Sequence, residues 1–211
     1  MPADAPKPEL ILASASPRRR QLLNQLGLEF TVAPSELDEQ AYLDHLSSEE
    51  KKTVDPQRAV VYLAEEKSYQ VAKCCKFDLV LAADTLVVTD AGETLGKPAD
   101  IGQAERMLTQ LAGRKHRVVT GVALRLGGEE SVQSLWEITH VRMKPPELAN
   151  IGAYLQTGEW KGKAGAYAIQ GVGVALTEGI QGSYTNVVGL PLECLDRLFS
   201  AVGYSLWDFM L

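Results

Sequence analysis

Apolar positions along this chain fall into two patterns, short continuous runs and stripes at helical spacing. Leu10-Ile11-Leu12 is a continuous run, followed by a Ser-rich turn and then PRRRQLLNQLG. Ser16 suits a helix N-cap, Pro17 the first helical position and Gly27 the C-terminal stop. Glu29 to Val32 predicts a second strand. From Asp55-Pro56 to about Cys75 the pattern is helical, with Val60, Leu63, Ala64 and Val71 on one buried stripe. Leu79 to Val88, LVLAADTLVV, is nearly all apolar, as expected of a central strand covered on both faces. Asp100 predicts the cap of a helix with Ile101, Ala104, Met107, Leu108 and Leu111 on its buried face, stopped by Gly113. Residues 116–126 and 130–143 read as strands joined at Gly127-Gly128. Pro145-Pro146 introduces a helix to about Thr157, and Pro191 a last one burying Leu192, Leu195, Leu198 and Phe199. Strands alternating with helices predict an α/β fold, and the hairpin makes its sheet mixed. The expected architecture is a twisted mixed sheet flanked by helices and bent into two lobes with a ligand between them. It forms one domain over residues 10–211, after a disordered Pro-rich tail of residues 1–9.

Polar residues that break these patterns mark the candidate chemistry. A helix N-terminus carries a partial positive charge, so Arg18, Arg19 and Arg20 there cost roughly 0.3–1 kcal/mol per cation. An anion held by the helix N–H groups, the Ser hydroxyls and the Arg forks would offset that cost. Successive helical residues turn by about 100°, so Arg18 and Arg19 are assigned to the ligand and Arg20 to solvent. Asp84 and Thr85 interrupt the apolar strand. A carboxylate there has to be paired, metal-bound or exposed at a cleft, or else cap a turn where the strand ends. Lys67 falls on the apolar stripe of its helix, either snorkelling to the rim or aimed into a cleft. Lys97, in Gly96-Lys97-Pro98, is either an exposed loop residue or a further site cation. Glu36, Asp38 and Glu39 cluster in an acidic loop. Gly158 to Gly189 is dense in glycine, and within it Gln170 offers a donor and an acceptor side by side.

Composition narrows the ligand. The chain has 211 residues, 45% of them hydrophobic and 23% charged, with a formal net charge of −6. That balance argues against a nucleic-acid coat or an anionic-membrane binder, so an anionic ligand has to be drawn by a local basic pocket. Three cysteines, two of them adjacent at Cys74 and Cys75, make neither a disulfide framework nor a metal-binding spacing. No apolar run approaches a membrane span, and a reducing, cytoplasmic setting is expected.

Taken in order and spacing, ASASPRRR, AADT, GKP, TGV and AGAYAIQG resemble the Maf proteins, a family of nucleoside triphosphate pyrophosphatases, from about Leu10 to Leu192. The resemblance implies a mixed α/β fold of two lobes around a deep cleft, similar to that of inosine triphosphate pyrophosphatases. It implies hydrolysis of a nucleoside triphosphate to the monophosphate and pyrophosphate with a divalent cation, Mg²⁺ or Mn²⁺. On the family pattern Ser16, Arg18 and Arg19 bind substrate, Asp84 is catalytic, and Lys67 and Lys97 are the site lysines. Asp84 and Glu39 hold the metal, with Glu36 or Asp38 as alternatives to Glu39. Arg18, Thr85 and Gln170 match the dTTP/UTP-hydrolysing branch, and the Gln170 amide complements the imide edge of uracil or thymine. Modified pyrimidine nucleotides are a further substrate class. Trp160 and Gly162 depart from the Pro and Asp more usual in GEWKGKAG. The family also implies a homodimer and raises an alternative role, regulation of septum formation in cell division through a protein partner.

Overall fold

The computed structural model describes residues 7–50, 54–75, 78–147 and 149–210. Its strands make one mixed sheet, the α/β arrangement expected from the sequence. They are β1 (Leu10–Leu12), β2 (Thr31–Val32), β3 (Leu79–Val88), β4 (Thr94–Leu95), β5 (Lys115–Leu126), β6 (Val132–Met143) and β7 (Thr177–Gln181). The order is β2-β1-β3-β5-β6-β7, with β4 paired to β3. β1 runs parallel to both β2 and β3, whereas β4 is antiparallel to β3 and β7 to β6. The chain divides into two compact units. The first comprises the chain up to Asp84, Gly121–Trp136 and Leu192–Leu211; the second comprises Thr85–Thr120 and Glu137–Pro191. Residues 1–6 of the expected tail lie outside the described residues, whereas the Glu9 carbonyl accepts from Leu79 N at 2.8 Å. No described helix is long and apolar enough to cross a membrane.

The first unit carries helices α1 (Pro17–Gln25), α2 (Glu39–Glu50), α3 (Pro56–Ala72) and α7 (Leu195–Ala201). Along β3, Leu79, Val80, Leu81, Ala82 and Ala83 are all buried, so this strand is covered on both faces as its apolar run predicts. Gly27 stops α1 with φ +69°, while Leu28 N donates to the Leu23 carbonyl and Gly27 N to that of Asn24. These two bonds satisfy carbonyls that the helix leaves open, and glycine makes the left-handed turn cheap. The strand expected from Glu29 shortens to Thr31–Val32, both exposed, because Glu29 N instead donates to the Phe209 carbonyl. Helix α3 lies directly on β5: a Cβ at Gly121 would sit 2.3 Å from the Val60 carbonyl oxygen. Only glycine allows that approach.

The second unit carries α4 (Ile101–Leu111), α5 (Ile151–Gln156) and α6 (Tyr184–Val188). Asp100 caps α4 as expected, its Oδ1 accepting from Gln103 N at 2.7 Å. Ala104, Met107, Leu108 and Leu111 are buried, but Ile101 is 48% exposed and corrects the expected stripe, because it lies beyond the core that the other four enter. The helix expected to follow Pro145-Pro146 begins only at Ile151. A residue preceding proline is pushed out of the helical region, and Asn150 supplies the cap by accepting from Ala153 N at 3.0 Å.

His116 is buried in this unit, its Nε2 2.8 Å from Tyr167 Oη and its ring edge-on to the tyrosine. Burial pushes its pKa down to about 4 and pushes that of the Tyr167 phenol up. His116 Nδ1 has no hydrogen-bond partner among the described residues.

Two outcomes are expected. Gly121→Ala should lower the unfolding free energy by at least about 1–3 kcal/mol, read as a lower denaturant midpoint, because the added methyl meets backbone at 2.3 Å. A neutral His116 stabilises the fold fully above its unfolded pKa near 6.5 and loses that contribution as pH falls toward about 4. The shift corresponds to about 3 kcal/mol, so the midpoint of His116→Gln should fall less steeply between pH 6.5 and 4 than that of the parent chain.

Candidate active site

The arginine turn owes its shape to Ser14 rather than to Ser16. Ser16 occupies the N-cap position of α1 with extended backbone, yet it makes no side-chain capping bond, which corrects the expected role. The buried Ser14 Oγ instead accepts from Ser16 N at 3.3 Å and from Arg19 Nη1 at 3.0 Å. One hydroxyl thus holds the turn and aims a guanidinium. Arg19 is buried, Arg18 half-buried and Arg20 exposed, the distribution expected from helical rotation. Burial lowers the Arg19 pKa from its usual value, and the carboxylates of Asp84 and then Glu39 oppose that shift. Those two carboxylates are therefore electrostatic neighbours of the guanidinium.

Asp84 closes the buried run of β3 and is itself 5% exposed. Its carboxylate oxygen Oδ1 accepts from Lys67 Nζ. Lys67 is 7% exposed on the buried stripe of α3, so its ammonium does not snorkel to the rim. It also donates to Glu39 Oε1 at 2.7 Å. Glu39 opens α2 instead of lying in a loop. Asp38 is committed to that helix start, its Oδ1 accepting from Ala41 N at 3.0 Å, and Glu36 is exposed. Of the three acidic residues, Glu39 is the one the fold brings to Lys67. The result is two carboxylates on one ammonium beside a buried guanidinium, a group that is costly unless every charge is matched.

Donor chemistry decides what else this group can hold. Among the described residues no three His, Cys, Asp or Glu side chains gather as metal ligands. Two carboxylates, from Asp84 and Glu39, suit a Mg²⁺ ion that keeps several waters and takes its other ligands from phosphate. They do not suit an all-protein cage.

The remaining candidates belong to the second unit and sit on three separate elements. Thr85, the residue after Asp84, is half-buried with Oγ1 3.0 Å from Thr120 Oγ1. Thr120 Oγ1 donates to the Asn186 carbonyl, and Asn186 Nδ2 donates to the Val118 carbonyl and to Thr139 Oγ1. Lys97 is exposed in the segment between β4 and α4. Gln170 is half-buried at the N-cap of a 3₁₀ helix, Gly171–Leu176. Ser14 and Thr120 fall inside the ASASPRRR and TGV stretches but gain a role only from the structure. The signal for Ser14 was its place at the end of an apolar strand, two residues before the cap. Thr120 lies within a strand, and TGV there gave no sign of its bonds to Thr85 and Asn186.

Lys67→Met tests the pairing. It removes the shared cation and leaves the Asp84 charge buried, so the unfolding free energy at neutral pH, read by denaturant titration, should fall by about 3–5 kcal/mol. The double variant Lys67→Met/Asp84→Leu should recover most of that loss.

The Maf-like protein family model matches residues 9–202 of the chain. A dTTP/UTP pyrophosphatase of Symbiobacterium thermophilum is 47% identical over 94% of this chain and 96% of its own length. A protein of the same name from Halalkalibacterium halodurans is 45% identical over 93% and 97%, and one from an Anaeromyxobacter species 46% over 94% and 92%.

Proposed function

The chain belongs to the Maf family, and from that membership we propose that it hydrolyses dTTP and UTP to the nucleoside monophosphate and pyrophosphate. The observation that carries this reading is the group of buried Arg19, Lys67 and Asp84 with half-buried Glu39, in a chain similar over more than nine-tenths of its length to proteins of that name. Arg18 and Arg19 neutralise phosphate oxygens from the start of α1, where the helix N–H groups also favour an anion. Ser16 joins them at the same turn, and Lys67 and Lys97 supply the remaining positive charge. This is catalysis by position and electrostatics, as phosphoryl-transfer chemistry requires.

Lys67 orients the Asp84 carboxylate through its hydrogen bond. Asp84 accepts a proton from a water, whose oxygen then attacks the α-phosphorus. The anhydride bond between the α-phosphorus and its bridging oxygen breaks, and pyrophosphate carries the electron pair away. A divalent cation, Mg²⁺ or Mn²⁺, held by Asp84 and Glu39 would screen the phosphate charge and polarise the reacting P–O bonds. Gln170, with Thr85 and Arg18, sets the base preference: the amide matches the N3–H and carbonyl of uracil or thymine, whereas cytosine presents a different edge. Modified pyrimidines that keep that edge belong to the same substrate class. We infer a homodimer from the same family resemblance. A reducing, cytoplasmic setting fits cysteines that are all free, with Cys74 exposed.

Purified protein with UTP or dTTP and Mg²⁺ should release pyrophosphate as its first phosphorus product. Asp84→Asn should lower kcat by about 10²–10⁴-fold with the fold kept. First release of orthophosphate, or full activity in Asp84→Asn, would overturn the reading.

A further inference from the structure

We infer that Glu159 is a positioning residue that presents Gln170 to the nucleobase; the inference rests on the assignment of Gln170 just given. A residue at a helix N-cap ordinarily turns its side chain onto the first free N–H groups. Gln170 stands at the N-cap of Gly171–Leu176 and makes no such bond. The carboxylate of Glu159 does this from outside the helix. Its Oε1 accepts from Val172 N at 2.9 Å and its Oε2 from Gly173 N at 3.0 Å. Two N–H groups are satisfied by one charged fork, so the Gln170 amide is not drawn into the cap.

The loop is tightly packed at two glycines. Gly171 has φ +69°, and a Cβ there would lie 2.3 Å from Glu159 Oε1. A Cβ at Gly173 would lie 2.0 Å from the Ala168 carbonyl oxygen. The chain therefore closes on itself from Ala168 to Gly173 with Glu159 seated against it, and half-buried Gln170 lies within that closure. Upstream, the Tyr167–His116 hydrogen bond fixes where the loop begins. Ala166, with φ +60°, is the one non-glycine residue with positive φ among the described residues, and this backbone strain sits next to that anchor.

Glu159 is in turn held at its own backbone. Its N–H donates to Thr157 Oγ1 at 3.1 Å, and the next residue, Trp160, is buried with Nε1 donating to the Leu155 carbonyl at 3.1 Å. Trp160 thus has a structural role. It ties the start of the Gly-rich segment to the last turn of α5, and so fixes the residue that clasps the Gln170 loop.

The experiment is a panel of kcat/KM for UTP and CTP, with pyrophosphate product inhibition, for the parent chain, Gln170→Ala, Glu159→Ala, Glu159→Gln and Gly171→Ala. Glu159→Ala should lower the UTP/CTP ratio by about tenfold or more, approaching Gln170→Ala, with the pyrophosphate inhibition constant unchanged. Glu159→Gln keeps one acceptor oxygen and should lose less, which keeps the test open if the alanine variant does not fold. Gly171→Ala drives a methyl into the Glu159 carboxylate and should resemble Glu159→Ala. An equal fall of UTP and CTP turnover, or an unchanged ratio in both Glu159 variants beside a lost ratio in Gln170→Ala, would overturn the positioning role alone. An unchanged ratio in Gln170→Ala would overturn the assignment of Gln170 and this inference with it.

Discussion

The structure of the first unit turns on one ammonium. Lys67 Nζ is shared by Glu39 and Asp84, and the arrangement forces α2, α3 and the middle of β3 into a fixed relation. Two carboxylates on one cation leave a negative excess, and the buried Arg19 guanidinium balances it. Glu39 is half-buried, but none of the other three charges is tolerable alone at its depth, because an isolated buried ion loses far more hydration than packing returns. Each justifies the burial of the others. A preassembled, charge-balanced group of this kind needs no ligand to hold it together.

Ser14 shows how little covalent machinery this requires. One hydroxyl, placed by β1, both shapes the turn before α1 and aims Arg19. The arginines at the head of α1 look unfavourable when read as a helix start. They make sense once the neighbouring carboxylates are counted, since Arg19 answers to Asp84 and Glu39 before any ligand arrives.

Much of this was legible in the residues themselves. The apolar run of β3 announced a strand covered on both faces, and Asp84 inside it announced a partner. The seven-residue step from Val60 to Lys67 put the lysine on the buried face of α3, where it lies. Legibility failed where long-range contacts outweigh local preference. Glu39 reads as part of an acidic loop, but Asp38 caps a helix there and Glu39 becomes its first residue. Ser16 has the residue type and place of a cap, yet Ser14 captures the N–H of Ser16. In the Gly-rich segment, two 3₁₀ helices and β7 replace what composition shows only as turns. Glu159 caps from more than ten residues away, beyond any local motif.

The first unit is discontinuous in the chain, and this bears on its synthesis. Phe199 and Phe209, both fully buried with ring centroids 5.1 Å apart, lie in Leu192–Leu211, which the ribosome makes after all of the second unit. The second unit can thus complete its own core while the first still lacks these two aromatic rings. Lys67, Glu39 and Asp84 are therefore translated well before Leu192–Leu211, the segment that completes the hydrophobic core of their own unit.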